Sequence, residues 1–83
     1  MEYTYTTEGV CPKEIVIKLD GNTVEDVEFI GGCSGNLKAI RRVVQGMTVD
    51  EVQKTFTGIT CGRRDTSCTD QLAKAVHEAF AEL

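Results

Sequence analysis

No run of apolar residues in this chain approaches the roughly 20 needed to cross a bilayer, so no membrane-spanning helix is expected. The opening residues, MEYTYTTEGV, lack the basic-then-apolar order of a signal peptide, and a soluble cytoplasmic protein is the expectation that follows. Basic residues are also in short supply. Nine Lys and Arg against thirteen Asp and Glu leave a formal net charge of -4, which disfavours nucleic acid as a partner because no basic face is available to neutralise phosphates. The pairs Arg41-Arg42 and Arg63-Arg64 read as solvated surface charge. A phosphate loop of the G-x-x-x-x-G-K type is missing, since Gly31-Gly32-Cys33-Ser34-Gly35 has no lysine. The single histidine, His77, has no evident nucleophile or carboxylate partner and receives no catalytic role. Repeats, linkers and low-complexity segments are likewise missing, so residues 1–83 read as one domain.

The apolar positions give the order of the elements. Tyr3 and Tyr5 alternate, as do Ile15, Ile17 and Leu19, and then Val27 and Phe29 against Asp26 and Glu28. This period of two predicts strands near 2–7, 14–20 and 23–30. Asp20-Gly21-Asn22 is a turn sequence that makes the second and third strands an antiparallel hairpin. At Gly31-Gly32 the period becomes helical. Leu37, Ile40 and Val44, with Ala39 and Val43 beside them, predict a helix near 35–45, ended by Gly46. Thr48-Val49-Asp50-Glu51 is a capping box that opens a helix near 49–56, with Met47 and Val52 placed as its hydrophobic staple. Thr57 to Thr66 reads as a loop. Ser67 with Asp70, or Thr69, then caps a last helix near 69–82 whose stripe is Leu72, Val76, Phe80 and Leu83. Strands first and helices after give an α+β fold: a three-stranded antiparallel sheet followed by three helices packed on one face.

Four cysteines stand out in a chain of 83 residues, where burial alone only narrowly exceeds the entropy of ordering. Cys11, Cys33, Cys61 and Cys68 all lie at element boundaries, beside glycine, proline or a helix start, and none falls on a core stripe. A buried structural cysteine would sit on such a stripe. Cys33 and Cys68 fall at predicted helix N-termini, where partial positive charge and unpaired amides favour the thiolate that binds metal or attacks a disulfide. No C-x-x-C pair is present, and the closest two, Cys61 and Cys68, have six residues between them. Convergence would therefore depend on the fold, with the hairpin bringing the Cys11 end of the second strand beside the Cys33 end of the third. The residue types leave three readings open: a shared metal, a redox dithiol or disulfide, and inert thiols in a domain that binds a protein partner. Asp65 and Asp70 are candidate oxygen ligands or acceptors beside the ligands, Asp70 being already accounted for by capping.

The segment Cys61-Gly62-Arg63-Arg64-Asp65-Thr66-Ser67-Cys68-Thr69-Asp70-Gln71-Leu72-Ala73 resembles the signature of the TSCPD domain family, with Thr69 where the family has proline. Val10-Cys11-Pro12 and Gly31-Gly32-Cys33-Ser34-Gly35-Asn36 resemble it too, so the likeness covers nearly the whole chain. That family occurs as small free-standing proteins and as C-terminal domains of adenosylcobalamin-dependent ribonucleotide reductases. The resemblance thus implies an accessory role in deoxyribonucleotide synthesis, with a ribonucleotide reductase as protein partner, and not a complete enzyme. More distantly, Cys11, Cys33 and Cys68, with Leu72-Ala73 after the last, are similar to the cysteines of U-type iron–sulfur cluster scaffold proteins. This second resemblance implies the scaffold fold, a metal or cluster site on those three cysteines, and cluster scaffold or carrier activity as one alternative; Cys61, which has no counterpart in it, is the candidate for the fourth ligand. Lys13 stands where the scaffolds have aspartate, and Ser67 where they have histidine. Zinc is therefore the first expectation and an iron–sulfur cluster the second, with electron transfer to a reductase by cycling thiols as the competing function.

Overall fold

The computed structural model describes residues 1–7, 13–31, 34–60 and 66–82, and for 34–36 the backbone alone. Its elements run β1 (Glu2–Thr6), β2 (Glu14–Asp20), β3 (Thr23–Ile30), α1 (Ser34–Val44), α2 (Val49–Phe56) and α3 (Cys68–Ala81). The strands form one antiparallel sheet in the order β1-β2-β3. The α+β arrangement expected from the change of period is thus the observed one, and every element lies within a residue or two of its expected bounds. Among the described residues, no helix is long and apolar enough to cross a membrane.

Pairing explains which face is buried. Tyr3, Ile17 and Val27 stand in one row and Tyr5, Ile15 and Phe29 in the next, so all six side chains share a face. Ile15, Ile17, Leu19, Val24 and Val27 are buried there against Val44 of α1, Val49 and Val52 of α2, and Leu72, Ala75, Val76 and Ala79 of α3. The opposite face carries Glu2, Thr4, Lys18 and Glu28, all exposed. A register shift between Lys18 and Leu19 pairs Leu19 with Val24 while Lys18 pairs with Asp26, leaving Glu25 as the extra residue of a bulge. That bulge lets Val24 and Val27, three apart, both face inward.

The turns and caps follow local chemistry. Gly21 takes a φ of 60° in the β2–β3 hairpin, a conformation that side chains with a Cβ resist. Gly46 takes a φ of 89° where α1 ends. The capping box of α2 is formed, the Thr48 amide donating to Glu51 Oε1 at 3.0 Å and the Glu51 amide donating to Thr48 Oγ1 at 3.1 Å. The α1–α2 connection lies along the start of β3, where Val24 N donates to Met47 O (2.7 Å) and Gly46 N to Val24 O (2.9 Å). Further along β3, Arg41 of α1 grips Asp26 with two bonds, Nε to Oδ1 at 2.8 Å and Nη2 to Oδ2 at 2.6 Å, and Gln45 adds a third at 3.0 Å. Arg41 is therefore a tether between helix and sheet as well as a surface charge.

Two expected stripes need correction. Val43 is 61% exposed and Ala39 is exposed as well, because α1 packs along the edge strand β3 and, among its described side chains, only Leu37, Ile40 and Val44 turn inward. Phe80 is 44% exposed, and α3 instead buries Ala75 and Ala79 with Leu72 and Val76, small residues that let the helix lie close to the sheet. Leu83, expected on that stripe, lies outside the described residues.

Leu72 is fully buried at the centre of this core. Leu72→Ala should cost about 2–5 kcal/mol by urea denaturation at 25 °C, as large-to-small changes in well-packed cores do. The Arg41 and Gln45 donors and the Val27 amide hold the Asp26 carboxyl well below the usual carboxylate range. Its contribution to stability is complete above its unfolded value and is lost as pH falls toward the folded one. Asp26→Asn should therefore lower the denaturation midpoint at pH 7, and the gap from wild type should narrow progressively below about pH 4.

Candidate functional site

Of the residues singled out as ligands, Cys68 and Asp70 lie among those described, whereas Cys11, Cys33, Cys61 and Asp65 lie outside them. Cys68 is half-buried and forms the first residue of α3, immediately after the N-cap Ser67. Among the described residues, no three His, Cys, Asp or Glu side chains are grouped to hold a metal ion.

The polar residues around Cys68 build a brace. Ser67 Oγ accepts from the Asp70 amide at 3.1 Å, which caps the helix, and donates to the Ile59 carbonyl at 2.6 Å, which ties the start of the α2–α3 connection to that cap. Thr69 Oγ1 lies 3.0 Å from Ser67 Oγ. Between the two capping residues expected for α3, the structure selects Ser67. The Asp70 carboxylate turns elsewhere. It is 5% exposed and accepts from Gly58 N at 2.7 Å, from Thr66 Oγ1, and across 3.6 Å faces Lys74 Nζ. The Thr66 hydroxyl, the Gly58 amide and the nearby Lys74 charge, in that order of effect with burial opposing them, hold its carboxyl below the ordinary carboxylate value. Gln71 completes the group by donating from Nε2 to Thr66 Oγ1 at 3.0 Å. In the run Thr66-Ser67-Cys68-Thr69-Asp70, the hydroxyls and the carboxylate thus fix the helix start to both ends of the connection that contains Cys61.

The fold also settles which end of the sheet this helix start faces. Tyr3 OH donates to Glu78 Oε2 at 3.3 Å, while Tyr5, two residues further along β1, lines a groove with Ala73 and His77. Moving along β1 toward Thr6 therefore moves along α3 toward Cys68. At that same end, Thr7 N donates to Lys13 O at 3.1 Å and Lys13 N to Ile30 O at 2.8 Å. Thr7 and Lys13 flank the segment with Cys11, Gly31 precedes the segment with Cys33, and Ile59 and Thr60 precede Cys61. The described residues that flank the other three cysteines thus belong to the end toward which α3 presents its first turn.

Thr66, Gln71 and Gly58 escaped the reading of the sequence as parts of this site. Gly58, with a φ of 84°, stands directly after the C-cap of α2, and glycine in that place is the one local signal that could have marked it. His77 is exposed.

Asp70→Asn should place an amide group against the Gly58 N–H or the Thr66 hydroxyl and remove the charge that both bonds serve. A loss of about 2 kcal/mol in urea denaturation is expected, the scale for hydrogen bonds to a charged group, together with faster hydrogen exchange at the Gly58 amide.

Comparison with known proteins found no match among curated proteins and none among solved structures. Against protein-family models, the TSCPD domain matches residues 1–80. This match takes in the whole sheet, the brace around Cys68 and all but the end of α3, and the chain belongs to the TSCPD domain family.

Proposed function

We propose that this domain is a metal-binding accessory module, in which Cys11, Cys33, Cys61 and Cys68 hold one ion or cluster, zinc in the first instance. The observation that carries the reading is the common end of the molecule at which Cys68 and the residues flanking the other three cysteines are found. Thiolate ligands suit such a position. Cys68 opens a helix, whose first amides and dipole favour an anionic sulfur, and Cys33 directly precedes another. The donor set fits a tetrahedral structural ion, since four sulfurs close its shell and leave no open position for a substrate. Zinc bound there would cross-link the four segments without redox chemistry of its own.

Asp70 contributes differently. With its oxygens engaged by Gly58, Thr66 and Lys74, it serves to hold the Cys68 backbone and the ends of the Cys61 connection in place. The link to ribonucleotide reductase rests on the likeness of the Cys61–Ala73 signature to the C-terminal domains of those enzymes. On this reading the domain acts beside a reductase and carries out no ribonucleotide reduction alone.

Protein purified without oxygen should contain close to one zinc per chain by elemental analysis. Replacing Cys11, Cys33 or Cys68 by serine should lower metal content and melting temperature together, because binding free energy at such a site is also folding free energy. A thiolate-to-iron absorption band in the visible would assign a cluster in place of zinc. Protein with no metal, in which Cys61 and Cys68 form a disulfide reversible at a cytosolic potential, would replace this reading by the redox one.

A further inference from the structure

The two edges of the sheet are treated differently. β3 is interrupted by the Glu25 bulge, has Gly46 and Met47 bonded along its start, an isolated bridge between Thr23 and Thr48, and α1 packed against it. These are the means by which proteins keep an edge strand from pairing with another chain. Among the described residues, β1 has no bulge and no connection bonded along its outer side, and α3 meets it only over the inner face, at Tyr3 and Tyr5. It is regular over Glu2–Thr6 and contains neither proline nor lysine, and among the described residues no strand lies on its far side.

Its backbone orientation can be read from the pairing. Met1 N donates to Leu19 O at 3.1 Å and Leu19 N to Met1 O at 2.9 Å, so Met1 and Leu19 are a hydrogen-bonded pair. In an antiparallel ladder such pairs alternate. Tyr3 and Tyr5 therefore turn their amides and carbonyls toward β2, and Glu2, Thr4 and Thr6 turn theirs outward. All three outward residues are exposed.

We infer that this edge pairs with the same edge of a second copy of the chain, antiparallel about a two-fold axis at Thr4. This register alone uses every outward group. Glu2 meets Thr6 of the other copy, Thr4 meets Thr4, and each such pair exchanges two hydrogen bonds. The alternate positions bring Tyr3 against Tyr5 of the other copy, twice, in the closely spaced pairs where aromatic side chains interact well across strands. Charge is compatible as well: Glu2 opposes a threonine in the new pair and already stands opposite Lys18 within its own sheet, so no like charges face each other. The product is a continuous six-stranded sheet with both outer edges formed by the protected β3. Five residues a side fall well short of the roughly 800 Å² per partner of a standard stable interface, so the association is concentration-dependent. Nothing in this inference depends on the metal.

Sedimentation of the full chain from about 5 to 500 µM tests it, with apparent mass expected to climb from 9.1 kDa toward twice that value. A residue on the two-fold meets its own copy, so Thr4→Lys and Thr4→Glu should each hold the chain monomeric throughout that range. An equimolar mixture of the two should associate again. Thr4 is exposed, so both variants should keep the wild-type melting profile. Thr4→Pro, which removes only an outward N–H, should also remain folded and monomeric. Wild type that stays monomeric at the highest concentration would overturn the inference and leave the edge to a strand of another protein. Association undiminished in all three variants would overturn it equally.

Discussion

The carboxylate of Asp70 is the interaction on which the end that carries Cys68 depends. A charge with 5% exposure is tolerated only where hydrogen bonds replace the water it has lost. Gly58 and Thr66 supply those bonds from the two ends of one connection, and Ser67 adds a second tie to Ile59. The consequence is geometric. The first turn of α3, and Cys68 with it, is held at a fixed place relative to the end of α2 by bonds that do not involve the cysteine. Lys74, one turn along the same helix, balances the charge from the solvent side.

At the other end, burial does the work. Leu19, Val24, Val44, Val49 and Val52 come from four different elements, and the backbone bonds of Met47 and Gly46 to Val24 close that end around them. The core is aliphatic and made largely of small side chains: among the described residues, five of the fourteen buried apolar residues are leucine or isoleucine, six are valine and three are alanine. Such a core packs closely but removes limited area from water. The molecule is thus organised as an apolar hairpin end and a polar end held by hydrogen bonds and the Asp70–Lys74 ion pair, with Cys68 at the second.

Most of the fold was legible in the sequence because its signals are local. The alternation in Ile15-Val16-Ile17 and Val27-Glu28-Phe29, the glycine of the hairpin and the Thr48–Glu51 box each act within a few residues, and each appears in its expected place. What escaped is non-local. Val24 points inward only because Glu25 is bulged out, a matter of register between two strands. Phe80 and Val43 fit a helical period yet face water, since a period does not say how wide a surface the sheet offers a helix. Of the candidate site, the cap at Ser67 and the position of Cys68 were readable, but the bond from Gly58 to Asp70 spans twelve residues, and no spacing rule announces it.

Asp26 and Asp70 make a further distinction within the same residue type. Both carboxyls are held below their ordinary value by hydrogen bonds, from Arg41, fifteen residues away, in one case, and from the nearby Thr66 with Gly58, twelve residues away, in the other. Asp26 stands on the outer side of the sheet and fastens α1 to β3, so its effect is confined to the protected edge. Asp70 stands beside the family signature and fastens the helix that opens with Cys68. Sequence signatures centred on a cysteine invite the assumption that every polar member touches the ligand; here Thr66, Ser67 and Asp70 are each accounted for by bonds to the protein itself. A signature of this kind specifies the support of a cysteine as much as the cysteine, and its threonine and aspartate are required by the brace whichever chemistry the cysteine performs.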